Sequence, residues 1–93
     1  MGEFFELAEK GEKYAREIRV RKDTKYGGHK ADELGIKGIY VDIFRKSGRL
    51  KSLVWDEYGE PTDEAILDNA ADLANYALAL AGVILKRMEN KNV

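Results

Sequence analysis

Acidic side chains recur along one face of a predicted helix in the last third of the chain. Glu64, Asp68 and Asp72 are spaced four residues apart, and Asn75 follows three residues later, so the four share a helix face. Aspartate is a poor residue for a helix interior, and stacked carboxylates can coordinate Mg²⁺ or Mn²⁺. We therefore predict a metal site formed by Glu64, Asp68 and Asp72 on this helix. The alternative is a solvated helix face with one interior hydrogen bond.

Basic side chains follow Asp42 on the predicted second helix. Lys46 and Arg49 lie on one stripe, flanked by Arg45. Lysine and arginine bind phosphate oxygens, arginine through its bidentate fork, so Lys46 and Arg49 are candidate phosphate ligands. They could equally form ion pairs with Asp68 or Asp72 across a helix interface, and the sequence leaves these two interpretations evenly balanced.

A glycine-containing segment, 22–30, carries further candidate binding residues. It contains Lys25, Tyr26 and His29 beside Gly27 and Gly28. Such a loop can close over a nucleotide while the aromatic ring stacks on the base. Lys25, Tyr26 and, from the third helix, Asn75 are therefore predicted nucleotide contacts. An ordinary connection between helices is the alternative.

Composition excludes several other chemistries. The 93 residues include no cysteine and one histidine, which excludes thiolate metal sites and disulfides. The net charge of −1 argues against strong nucleic-acid binding. The longest uncharged run, 73–85, is too short to span a bilayer, and charges throughout the first 20 residues are unlike a signal peptide. We expect a soluble cytoplasmic protein with no membrane partner.

Hydrophobic periodicity predicts an all-α fold in a single domain, 1–93, with helices at about 3–22, 36–55 and 62–88. The stretch 38–44 is rich in β-branched and aromatic residues and could form a strand, but its spacing of three and four continues for five turns and favours a helix. Gly48 interrupts this helix and could mark a close contact between helices. Pro61 suits the first turn of the third helix.

The third helix predicts an oligomer. From Leu73 to Leu85 it is apolar on every side except at Asn75, and a helix of that kind must be buried on every side. Two further helices of a 93-residue chain can hardly enclose it. We therefore expect part of its surface to meet another subunit, in a homodimer or a homotetramer that completes the helical bundle.

Four strings in the same order carry a resemblance to a known family: Lys25-Tyr26-Gly27, then 34–38, then 45–50, and Asp68-Asn69-Ala70-Ala71-Asp72 continuing to Ala77. Over about 14–85 the chain resembles small helical nucleotide-modification-associated proteins of bacteria and phages. These are similar to MazG-like, all-α nucleoside triphosphate pyrophosphatases. The resemblance implies a helical dimer or tetramer that hydrolyses (d)NTPs to the monophosphate and pyrophosphate, with Mg²⁺ held by acidic residues of two neighbouring helices.

Carried over by residue, Asp72 matches the aspartate of the family's ExxD element, where Asn69 replaces the glutamate. Asp42 matches one acid of the earlier helix, so the resemblance adds it to the predicted metal ligands, while Arg45 stands where another acid belongs. Three functions follow as hypotheses: a Mg²⁺- or Mn²⁺-dependent (d)NTP pyrophosphohydrolase, a nucleotide-binding regulatory module without hydrolysis, and a structural helical oligomer. The first is the leading prediction. Pairing of Asp68 and Asp72 with Arg45, Lys46 or Arg49, in a structure without a groove, would favour the third.

Overall fold

Three helices form the described part of the chain in the computed structural model, which describes residues 2–26, 35–59 and 61–91, with the side chains of 24–26 left out. Helix α1 spans Glu3–Tyr26, α2 spans Gly35–Leu50 and α3 spans Asp63–Lys91. A π-helical segment, Lys51–Trp55, follows α2 directly, and Leu50 between them keeps helical backbone angles. No strand occurs in these ranges, so the predicted all-α class is confirmed.

The helix boundaries correct two of the predicted ones. Helix α1 continues four residues past the predicted end at Lys22, because nothing in Asp23-Thr24-Lys25-Tyr26 breaks a helix before the glycine pair. Helix α3 likewise continues to Lys91 instead of ending near Met88. The predicted second helix at 36–55 corresponds to α2 plus the π-helical segment, and the strand interpretation of 38–44 was wrong.

Helix α3 begins with a side-chain cap. The Thr62 hydroxyl accepts a hydrogen bond from the Ala65 backbone N–H at 3.1 Å, which satisfies one of the unpaired amides of the first turn. Asp63 and Glu64 place negative charge at the same end, where it opposes the positive end of the helix dipole. Pro61 precedes the cap, so its predicted place inside the first turn was wrong.

Helix α3 packs against both of the other helices, whereas α1 and α2 do not pack against each other over the described residues. Only four apolar side chains are buried there: Ala15, Ile39, Leu53 and Ala71. Ala15 and Ala71 bring α1 close to α3, and Ile39 and Leu53 anchor α2 and the π-helical segment. Gly48 has open space around it within the protomer, so it marks no helix contact there.

Candidate functional site

A polar cluster ties the three helices together where α1 meets α3. Its members are contributed by α1, α2 and α3, and we call it the junction cluster: Tyr14, Arg19, Lys22, Lys46, Asp68, Asp72 and Asn75. The acidic face predicted on the third helix thus exists in part. Asp68, Asp72 and Asn75 all point at other helices, while Glu64 is exposed one turn earlier.

Asp72 lies at the centre of the junction cluster. Its Oδ1 accepts a hydrogen bond from Lys22 Nζ at 2.8 Å, and its Oδ2 lies 3.1 Å from Lys46 Nζ. The Asp72 side chain is only 16% exposed. Burial by itself raises the pKa of this carboxyl, but the hydrogen bonds and charges of Lys22 and Lys46 outweigh burial, so the Asp72 pKa lies below its ordinary value. One carboxylate therefore joins α1, α2 and α3.

Asp68 and Asn75 make the flanking contacts. The Tyr14 hydroxyl donates to Asp68 Oδ1 at 2.9 Å, and this hydrogen bond, with smaller contributions from desolvation and the Asp68 charge, raises the Tyr14 pKa. Arg19 Nη1 donates to Asn75 Oδ1 at 2.9 Å, and Asn75 Nδ2 donates to the Ala15 carbonyl at 3.0 Å. Both polar atoms of the Asn75 side chain are thereby hydrogen-bonded, although the residue lies beside the apolar stretch.

The other predicted site residues lie apart from this cluster. Asp42 pairs with Arg45 of its own helix at 3.1 Å, and Arg49 is exposed, with its guanidinium near Gly59. Lys25 and Tyr26 belong to α1 by their backbone, which replaces the start of the predicted 22–30 loop with helix. Their side chains, and His29 with the glycine pair, lie outside the described residues.

The four predicted metal ligands do not converge. Among the described residues, no three acidic or histidine side chains form a group that could hold a metal ion. Asp68 and Asp72 already accept from a tyrosine and two lysines, so a cation there would have to displace those donors. These residues do not form a metal-ligand set in the protomer, and the expectation of Mg²⁺ or Mn²⁺ stays a prediction.

An open groove of about 570 Å³ runs beside the junction cluster, between α1 and α3. Small side chains shape it, chiefly Ala8, Gly11, Ala70, Ala74 and Ala77, and nearly all of its lining is apolar. Such a groove suits an apolar helix from another chain better than a phosphate group, because phosphate needs charged or hydrogen-bonding partners.

The sequence did not predict the residues that α1 contributes to the junction cluster. Arg19 and Lys22 lie 56 and 50 residues before their partners on α3, a separation that spacing along one helix cannot detect. Tyr14 did carry a signal, because a tyrosine on the apolar face of a helix needs a partner for its hydroxyl. The alternative prediction that Lys46 pairs with Asp72 is confirmed.

No protein-family model matches the chain, and neither a curated protein nor a solved structure is similar enough to count as a relative. The resemblance to MazG-like proteins therefore stays an interpretation of the sequence. Of the described helices, none has the length and hydropathy to cross a membrane.

Proposed function

We propose that this protein is a self-associating helical module and that α3 forms the core of its assembly. The observation that carries the proposal is a continuous, exposed apolar surface on α3, which we call the α3 face. It covers about 32 Å of helix at 1.5 Å per residue and contains no polar side chain. Its members are Leu67, Ala70, Ala74, Ala77, Leu78, Ala81, Ile84, Leu85 and Met88, all of which are exposed.

The total surface supports burial against another subunit. The protomer exposes 7870 Å², whereas a compact monomer of its mass, 10.5 kDa, exposes about 5400 Å². A standard stable interface removes about 800 Å² from each partner, and permanent homodimers bury more. The excess surface is therefore large enough for an extensive interface.

A second copy of this chain is the occupant that the α3 face fits best. The face contains four alanines, concentrated in its first two thirds, and five larger apolar side chains, so it offers both small gaps and protruding groups. Two such faces related by a two-fold axis can interdigitate, since each residue meets its counterpart's neighbours. Five members of the face also line the groove between α1 and α3, so a partner packed on the face would enter the groove.

The junction cluster fits a structural role in such an assembly. It ties both α1 and α2 to α3, through donors from both helices on one carboxylate. Partly buried ion pairs of this kind can fix the register between helices. Asp72 is deprotonated and held by two ammonium groups, which suits it to bridging and not to accepting a proton from a substrate.

Sedimentation velocity on the purified protein tests the proposal. We expect a mass of at least twice that of the 10.5 kDa protomer. Leu78→Lys places a charge in the α3 face, where Leu78 is 50% exposed in the protomer, and we expect it to weaken association roughly 100-fold or more. Asn90→Lys adds the same charge to α3 outside the face and is the matched control. A wild-type mass of one protomer at all concentrations would overturn the proposal.

A pyrophosphate-release assay separates this proposal from the leading sequence prediction. The wild type and Asp72→Asn are incubated with canonical and modified (d)NTPs, with and without Mg²⁺ or Mn²⁺. A structural module shows no release. Metal-dependent release that Asp72→Asn loses would establish the pyrophosphohydrolase prediction instead. Saturable nucleotide binding without release would establish the regulatory-module prediction.

A further inference from the structure

The surface of α2 that points away from α3 is aromatic and basic. Ile39 and Leu53 face inward, and on the opposite side Phe44 is 68% exposed and Trp55 is 82% exposed. The rings of Tyr40 and Phe44 lie 6.4 Å apart and form a continuous patch. We call this surface the α2 outer face and define it by its exposed members: Lys37, Tyr40, Val41, Phe44, Lys51 and Trp55.

Positive charge surrounds this patch in a chain whose overall charge is −1. Residues 35–55 contain five basic side chains and one acidic one. The single acid, Asp42, is paired with Arg45, and Lys46 is paired with Asp72. Lys51 is paired with Asp56, which lies just beyond this range. Lys37 and Arg49 form no ion pair among the described residues. A surplus of positive charge remains along α2, so a partner for this face should carry apolar side chains together with acidic ones.

The first ten residues of α1 have that chemistry. We call residues 3–12 the α1 arm; four of them are glutamates and one is a lysine. The arm also carries Phe4, which is 87% exposed, and Phe5 and Leu7. The spacing that would allow Glu6 to pair with Lys10 and Glu9 with Lys13 produces no ion pair among the described residues.

The α1 arm is sparsely packed within the protomer. Every residue from 3 to 12 is exposed, although an isolated helix of this length is marginal in water. Contact with another surface would supply the missing stabilisation. Within the protomer, α1 and α2 do not pack against each other.

We propose that the α1 arm of one copy docks on the α2 outer face of a second copy. This inference rests on the proposed self-association and adds a second contact, distinct from the α3 face. Phe4 and Leu7 would pack among Tyr40, Phe44 and Trp55, while the glutamates lie beside the basic side chains of α2. The arm is about 15 Å long and the outer face about 27 Å long, so the face accommodates the whole arm.

Charge reversal with mixing tests this pairing by sedimentation velocity. One variant carries Glu3→Lys, Glu6→Lys and Glu9→Lys in the arm, and the other carries Lys37→Glu and Lys51→Glu in the outer face. We expect each variant alone to associate about 10-fold more weakly, because like charges then oppose each other. An equimolar mixture should regain most of the lost association, since the reversed arm matches the reversed face.

The matched control reverses the charges of Lys86 and Arg87, which lie on α3 outside both surfaces, by substitution with glutamate. This variant should associate like the wild type. Circular dichroism of each variant checks that the helices persist, and recovery in the mixture excludes a folding defect as the cause. Unchanged association in both variants, or no recovery in the mixture, would overturn the docking while Leu78→Lys still dissociates the protein. A monomeric wild type would instead overturn the self-association itself.

Discussion

Asp72 is the residue on which the arrangement of the three helices depends most. It is mostly buried, and each of its carboxylate oxygens meets a lysine from a different helix. A carboxylate in that position is costly unless it is paired, and the two lysines supply the pairing. Loss of the charge therefore affects both helix interfaces together and not one contact alone.

We expect Asp72→Asn to lower the free energy of unfolding at pH 7 by about 1.5–3 kcal/mol, the range for hydrogen bonds to charged groups. Because the Asp72 pKa is lowered by folding, this stabilisation is complete above the ordinary value of 3.8 and is lost as the pH falls through the folded-state pKa. Urea unfolding at pH 7 and at progressively lower pH measures the difference in free energy of unfolding between the wild type and Asp72→Asn. We expect this difference to narrow only below about pH 4.

Asp56→Asn is the comparison for that experiment. Asp56 pairs with Lys51 at 3.0 Å but is 40% exposed, so its removal should cost less than about 1 kcal/mol. A gap between the wild type and Asp72→Asn that stays constant from pH 7 to pH 2 would contradict the assigned role of the carboxylate.

The sequence predicted the shared face of Asp68, Asp72 and Asn75 because those residues lie on one helix with fixed periodicity. It could not predict what the face meets. Tyr14, Arg19 and Lys22 reach it only because Ala15 and Ala71 are small enough for α1 and α3 to approach closely. The metal interpretation considered only the acids, whereas the lysines opposite them decide what Asp72 does.

At the scale of the elements, helix type followed from periodicity, but helix ends depended on local chemistry. The spacing of apolar residues correctly separated helix from strand over 38–44. The predicted end of α1 was too early because polarity was treated as a break, although Lys22 to Tyr26 contains no residue that stops a helix. The start of α3 is set by the Thr62 hydroxyl and not by Pro61.

We expect Thr62→Ala to lower the free energy of unfolding by about 1 kcal/mol, since it removes the side-chain acceptor of the Ala65 N–H. Thr62→Ser keeps the hydroxyl and should remain close to the wild type. Urea unfolding followed by circular dichroism measures both. Equal stabilities for the alanine and serine variants would show that the 3.1 Å cap contact contributes nothing to α3.

At the scale of the whole molecule, the protomer is open. Its radius of gyration is 15.0 Å, against about 12 Å for a compact domain of this length. The α3 face is exposed in the protomer, and its burial against another subunit stays a prediction. Surface that a larger domain would bury internally is available here for contact between chains, so folding and assembly should be coupled.

This coupling predicts a melting temperature that rises with protein concentration. When folding is coupled to dimerisation, mass action stabilises the folded dimer as the protein concentration rises. For chains of this size we expect the melting temperature to rise by about 3–5 °C for each tenfold increase in concentration. Circular dichroism melts over a hundredfold concentration range measure the effect. Leu78→Lys should melt at a lower temperature and lose the concentration dependence, whereas Asn90→Lys should keep it. A wild-type melting temperature that is independent of concentration would mean that the four buried apolar side chains and the junction cluster stabilise the protomer by themselves.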